Sequence, residues 1–141
     1  MLNTILVALD DSEIAERVIE TLGSLMLSQN AHVILCHVFP SSDATELPAD
    51  RPHPDSPKLS YFQVEKQLQT YQEKLAVKSQ LELVSGDPAD EIIRLANIYK
   101  ADLVVIGNRG LTGMKKIVLR SVSTQVMEEA HCSVLVVKSH R

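Results

Sequence analysis

The chain has 141 residues, a formal net charge of −4, 45% hydrophobic and 23% charged residues, which describes one globular domain able to bury a core without disulfide or metal support. The acidic balance argues against a surface built to neutralise nucleic-acid phosphates, and no apolar run approaches the roughly 20 residues of a membrane-crossing helix. The start Met1-Leu2-Asn3-Thr4 lacks a basic n-region, so the expected location is the cytoplasm.

Thr4-Ile5-Leu6-Val7-Ala8-Leu9 is a short continuous apolar run, the pattern of a strand covered on both faces. The period then changes: Ile14, Val18, Ile19, Leu22, Leu25 and Met26 recur at helical spacing, and Asp10 with Glu13 resembles a capping box. This helix is expected to end near Ser28-Gln29-Asn30. A second buried strand follows over Ala31-His32-Val33-Ile34-Leu35-Cys36-His37-Val38-Phe39.

From Pro40 to Pro57 the chain holds five of its six prolines among Ser and Asp. Proline removes backbone donors and fixes φ, so this stretch is read as neither helix nor inner strand. The expectation is one domain over 1–141 with a flexible loop over 40–58. Val64, Leu68, Tyr71 and Leu75 then form one apolar stripe on a helix.

Gln80-Leu81-Glu82-Leu83-Val84 alternates polar and apolar residues, as a strand near a sheet edge does. Asp87 is placed as an N-cap with Pro88 at the first helical position, and Ile92, Leu95, Ala96 and Tyr99 form the buried side of the helix that follows. Asp102-Leu103-Val104-Val105-Ile106 is the next strand. A last helix carries Val122, Val126, Met127 and Ala130, and Ser133-Val134-Leu135-Val136-Val137 is the final strand. This β-α alternation predicts an α/β fold: an open five-stranded parallel sheet with helices on both faces, Rossmann-like. In such sheets ligands bind beyond the carboxyl ends of the strands, where the strand order reverses. Asp10, Val38 and Gly107 are therefore expected near one another.

Cys36 and Cys132 lack zinc-ligand spacing and are expected to be buried, unpaired thiols. His32, His37, His53, His131 and His140 form no metal-binding pair.

Gly107-Asn108-Arg109-Gly110-Leu111-Thr112-Gly113 directly follows a buried strand and leads into a helical pattern. Glycines there let backbone N–H groups approach an anion, and a helix N-terminus adds positive partial charge. The P-loop motif is absent, and the first strand is followed by Asp10-Asp11-Ser12-Glu13 rather than a dinucleotide fingerprint. Simpler accounts exist for several of these residues. Asp10 can serve as a helix cap alone, Ser121, Ser123 and Thr124 suit a first helical turn, and Lys115-Lys116 suits a solvated surface.

The blocks Ile5-Leu6-Val7-Ala8-Leu9-Asp10-Asp11-Ser12, Gly86-Asp87-Pro88-Ala89-Asp90-Glu91-Ile92, Asp102-Leu103-Val104-Val105-Ile106-Gly107-Asn108-Arg109-Gly110 and Cys132-Ser133-Val134-Leu135-Val136-Val137 resemble the universal stress protein family over essentially the whole chain. The resemblance implies a sandwich of the adenine nucleotide alpha hydrolase-like type, and a homodimer built through the last strand, 132–138. It also implies a regulatory, largely non-catalytic adenine nucleotide site for ATP or a related nucleotide, with Mg as an accompanying ion. The nucleotide-binding branch carries G-x2-G-x9-G-[ST]. Gly107 and Gly110 match its first two glycines and Ser121 its hydroxyl position. Asp10 matches the acidic residue near ribose and adenine, Val38 the backbone position that meets the base, and Val122 and Ser123 the helix start. The candidate nucleotide-binding set is thus Ala8, Asp10, Val38, Ile106, Gly107, Arg109, Gly110, Arg120, Ser121, Val122 and Ser123.

Arg120 stands where the pattern has its third glycine. It either fills the pocket or pairs with phosphate through its guanidinium. The alternative expectation is therefore a stress-response dimer that binds no nucleotide and acts through protein contacts. No convincing general base lies near the glycine loop, Asp10 and Asp11 being the carboxylates at its mouth. At most slow ATP hydrolysis is expected, with no catalytic residue or metal ligand assigned.

Overall fold

A computed structural model describes residues 2–9, 14–25, 27–40, 57–108 and 122–138. The apolar runs form five parallel strands: β1 (Thr4–Ala8), β2 (His32–Pro40), β3 (Lys78–Gly86), β4 (Leu103–Asn108) and β5 (Ser133–Lys138). Their order across the sheet is β3-β2-β1-β4-β5. Central β1 pairs Ala8 with Cys36 of β2 and with Ile106 of β4. β3 lies at an edge, as its alternation implied, and runs longer at both ends than 80–84.

Among the described residues four helical segments join the strands: α1 (Ile14–Ser24), α2 (Pro57–Glu73), α3 (Pro88–Tyr99) and α4 (122–129). Because side chains alternate along a strand, each strand feeds two apolar layers. One layer joins Ile5, Val7, Leu9, Val33, Leu35 and Val105 to Ile14, Val18 and Leu22 of α1 and to Leu68 and Tyr71 of α2. The other joins Leu6, Ile34, Cys36, Val104 and Ile106 to Ile92, Leu95 and Ala96 of α3 and to Val126 of α4. Helices on both faces explain why the inner strands read as unbroken apolar runs.

Several boundaries differ from the sequence expectation. α1 stops at Ser24 rather than near Asn30. Gly23 is a poor helix former, and the turn closes when Leu25 N–H donates to Leu22 O at 3.1 Å, three residues back. Pro40 ends β2 in register with Gly86, since a strand's last residue tolerates a missing donor. Pro57 opens α2, where a first-turn N–H has no helical partner to lose. Residues 41–56, the rest of the expected loop, lie outside the described set. Met127 is exposed, about 100° around the helix from fully buried Val126. Cys36 is buried and free, as expected, whereas Cys132, also free, is half-buried.

α3 is closed at both ends. Asp87 accepts a hydrogen bond from Asp90 N–H at 3.0 Å, Pro88 begins the helix, and Lys100 ends it in the left-handed conformation at φ 52°. Gly86, at φ +145°, allows the tight entry, where a Cβ would stand 3.0 Å from Glu91 Cγ. At the amino edge of the sheet, Asp102 accepts the N–H groups of Asn3 and Thr4 at 2.9 Å each. These bonds hold its carboxyl below the usual carboxylate range.

Candidate functional site at the carboxyl edge

The strand order places the topological switch between β1 and β4. From β1 the chain turns to α1 on one face and moves toward β2; from β4 it turns to α4 on the other and moves toward β5. With α1 and α4 on opposite faces, a ligand crevice is expected at the carboxyl ends of those two strands.

Four candidate residues lie in one apolar layer of the sheet. Ala8 and Ile106 are register partners, and Ala8, Val38, Ile106 and Val122 all belong to the apolar layer under α3 and α4. Ala8, Val38 and Val122 are only half-buried, so the layer reaches the surface here. Beside them Ser123 is the one buried polar residue among those described, 5% exposed, in the first described turn of α4. Gln125 of α4 donates Nε2 to Asp90 Oδ1 of α3 at 3.3 Å, joining the two helices at the surface.

Gly107 faces the opposite layer. A Cβ on it would lie 3.1 Å from Ile14 Cγ2 and 3.3 Å from Val18 Cγ2. Its φ is not in the left-handed region, so the glycine serves close approach of α1 to β4 rather than an unusual turn. That is a packing reason for glycine at 107, independent of any ligand. Asp10, Arg109, Gly110, Arg120 and Ser121, together with Lys115 and Lys116, lie outside the described residues.

Sequence reasoning passed over His37 and the rings next to it. His37 Nδ1 lies 2.9 Å from the Leu9 carbonyl, just beyond the last residue of β1. Its ring meets Phe39 edge-on, 4.6 Å between centroids, and Phe39 stacks on Tyr61 of α2 at 5.9 Å. The available signal was the two-residue period of β2, which puts His37 and Phe39 on the same face as Val33 and Leu35.

Two titratable groups near the second layer are held neutral. Burial first, then the nearby Glu82 carboxylate, pushes the Cys36 thiol up to about 12. Burial and a hydrogen bond to Glu82 push the Tyr99 phenol up to about 12, while Gln80 Nε2 donates to the same phenol oxygen at 2.7 Å. At neutral pH neither group is a nucleophile. Among the described residues no group of three or more His, Cys, Asp or Glu side chains is arranged to hold a metal ion, and no helix is long and apolar enough to cross a membrane.

The model of the universal stress protein family matches residues 1–138. Universal stress protein YxiE of Bacillus subtilis is 31% identical over 148 residues, covering 98% of this chain and 100% of that protein. Universal stress protein MJ0531 of Methanocaldococcus jannaschii is 45% identical over a shorter stretch of 73 residues, covering 52% of this chain and 43% of that protein. Among solved structures, MJ0577 of the same archaeon superposes with a TM-score of 0.77 at 26% identity, covering 100% of this chain and 99% of that one. A universal stress protein in complex with cAMP superposes with a TM-score of 0.68 at 25% identity, covering 97% of each chain.

Proposed function

The chain belongs to the universal stress protein family, and from that premise we propose that it binds an adenine nucleotide in a regulatory, largely non-catalytic role. The observation that carries this reading is the shared wall of Ala8, Val38, Ile106 and Val122 at the β1/β4 switch, with buried Ser123 beside it. A half-buried apolar wall suits the flat face of a purine, and a hydroxyl at a helix start suits a phosphate or ribose oxygen. The similar universal stress protein in complex with cAMP supports the same ligand class.

Ala8, Val38 and Ile106 would hold the base. Gly107, Gly110, Val122, Ser123 and the Ser121 hydroxyl would hold the phosphates, and Asp10 would meet the ribose. Arg109 and Arg120 would supply positive charge. A bound ATP would bring Mg through its own phosphates rather than through a protein cage. We assign no catalytic residue, and place the protein in the cytoplasm. Nucleotide occupancy would bias a homodimer formed through 132–138. There β5 is an edge strand whose Val134, Leu135 and Val136 are only half-buried.

Thermal unfolding with and without nucleotide tests the reading. A ligand bound only by the folded chain raises its stability by about 2.7 kcal/mol at one hundred times Kd, so Tm should climb with AMP or ATP concentration. A Tm indifferent to both up to millimolar concentration would count against it.

A second reading is favoured by one sequence feature, Arg120 in place of the third glycine. On that reading the chain is a stress-response dimer acting through protein contacts alone. It requires that Arg120→Gly create nucleotide affinity absent from the natural chain.

A further inference from the structure

We propose that His37 is a positioning residue of this nucleotide site: its imidazole fixes the point at which the chain leaves β1 for the crevice. The inference rests on the nucleotide reading above and concerns a residue that the family pattern in the sequence did not single out.

β1 ends at Ala8, yet Leu9 is still held on both of its backbone groups. Its N–H donates to Cys36 O at 2.8 Å, and its carbonyl lies 2.9 Å from His37 Nδ1. A carbonyl oxygen can only accept, so Nδ1 carries the proton and donates. A side chain from the neighbouring strand thus secures the chain one residue past the end of β1. The imidazole is itself oriented. Phe39, two residues along the same face of β2, meets it edge-on with the rings 68° apart, and Phe39 is backed by Tyr61 of α2. Leu9 is anchored from below as well, its side chain buried among Ile5, Val7 and the α1 residues. The next residue in the chain is Asp10, and Gly107 is the next residue of β4 after Ile106, the partner of Ala8. The Leu9 carbonyl therefore sits at the base of the proposed site. Losing its partner leaves a backbone acceptor unpaired in a part-buried setting and frees the strand exit to move.

Three variants separate this role from packing. His37→Asn places an amide N–H donor close to where Nδ1 stands, His37→Gln places it nearer the Nε2 position, and His37→Leu removes the donor. Calorimetric titration with AMP, and hydrogen exchange at the Leu9 amide, are the two readouts. Losing one hydrogen bond of about average strength corresponds to roughly a tenfold change in affinity. AMP binding should therefore weaken about tenfold in His37→Leu and His37→Gln and return to near the natural value in His37→Asn. Exchange at Leu9 should quicken in the first two only. His37→Asn as weak as His37→Gln, or His37→Leu as strong as the natural chain, would overturn the proposal. Should His37→Leu not fold, the Asn and Gln pair decides it. If the natural chain takes up neither AMP nor ATP, the nucleotide reading falls and the ligand role of His37 with it. Unchanged exchange at Leu9 in His37→Gln overturns the anchor itself, whatever the nucleotide result.

Discussion

Gly107 on β4 lies against Ile14 on α1 so closely that a Cβ on the glycine would stand 3.1 Å from Ile14 Cγ2. The helix after β1 is thereby drawn onto the end of β4, and the two strands flanking the switch share a border. Gly107→Ala should force Ile14 and Val18 outward by a few tenths of an ångström, lowering stability by about 1 kcal/mol. Gly107→Val should cost more. Urea unfolding reads this directly as a lower midpoint at unchanged slope. An alanine variant as stable as the natural chain would show that α1 yields freely.

The phenol of Tyr99 joins α3 to the edge strand β3 by donating to Glu82 and accepting from Gln80. Tyr99→Phe leaves a half-buried carboxylate short of a donor and an amide short of an acceptor, and should destabilise by about 1–2 kcal/mol. The natural chain should also lose stability in alkali. The phenol ionises near 10.0 when unfolded but near 12 when folded, so between those values the unfolded state sheds its proton first and is favoured. Tyr99→Phe should show less of this alkaline loss.

The two cysteines should separate in thiol labelling. Cys36 is fully buried, its thiol raised from 9.0 to about 12, so it should resist a disulfide reagent at pH 8 until the chain unfolds. Cys132 is half-buried, its thiol raised by burial first and then by the Asp102 charge. It should label in the native state, more slowly than a free thiol. One labelled thiol in buffer and two in denaturant is the expected count; two in buffer would contradict the burial of Cys36.

Lys100 holds a left-handed conformation at φ 52° to end α3, with its N–H turned back to Ala96 and Asn97 carbonyls. Glycine takes this conformation without the Cβ penalty. Lys100→Gly should stabilise by about 0.5–1 kcal/mol, less any gain in unfolded-chain entropy. A loss of stability would show that the lysine side chain holds a contact worth more than the strain.

What was legible in the sequence follows from which patterns have one physical cause. The apolar runs Ile5-Leu6-Val7 and Val104-Val105-Ile106, short and rich in β-branched residues, suit a strand covered on both faces, so the parallel sheet and its switch point were readable. Asp87-Pro88 marked the start of α3 because cap chemistry is local. The end of α1 was misjudged because Leu25 still packs on the core after the helix has closed at Ser24, and apolar period alone cannot tell the two apart. His37 was invisible as an anchor, since its partner is a backbone carbonyl 28 residues earlier in the chain, and only the pairing of β1 with β2 brings them together. The candidate wall of Ala8, Val38, Ile106 and Val122 combined a readable sheet edge with a family resemblance.

Calorimetric titration of the whole chain with AMP, ADP, ATP and cAMP tests the central claim most directly. The expected result is saturable heat with Kd below about one millimolar, the level at which binding free energy is still only about −4 kcal/mol, for at least one of the four. No saturable heat from any of them in the natural chain, with binding appearing once Arg120 is changed to Gly, would contradict the nucleotide role and leave the dimer acting through protein contacts.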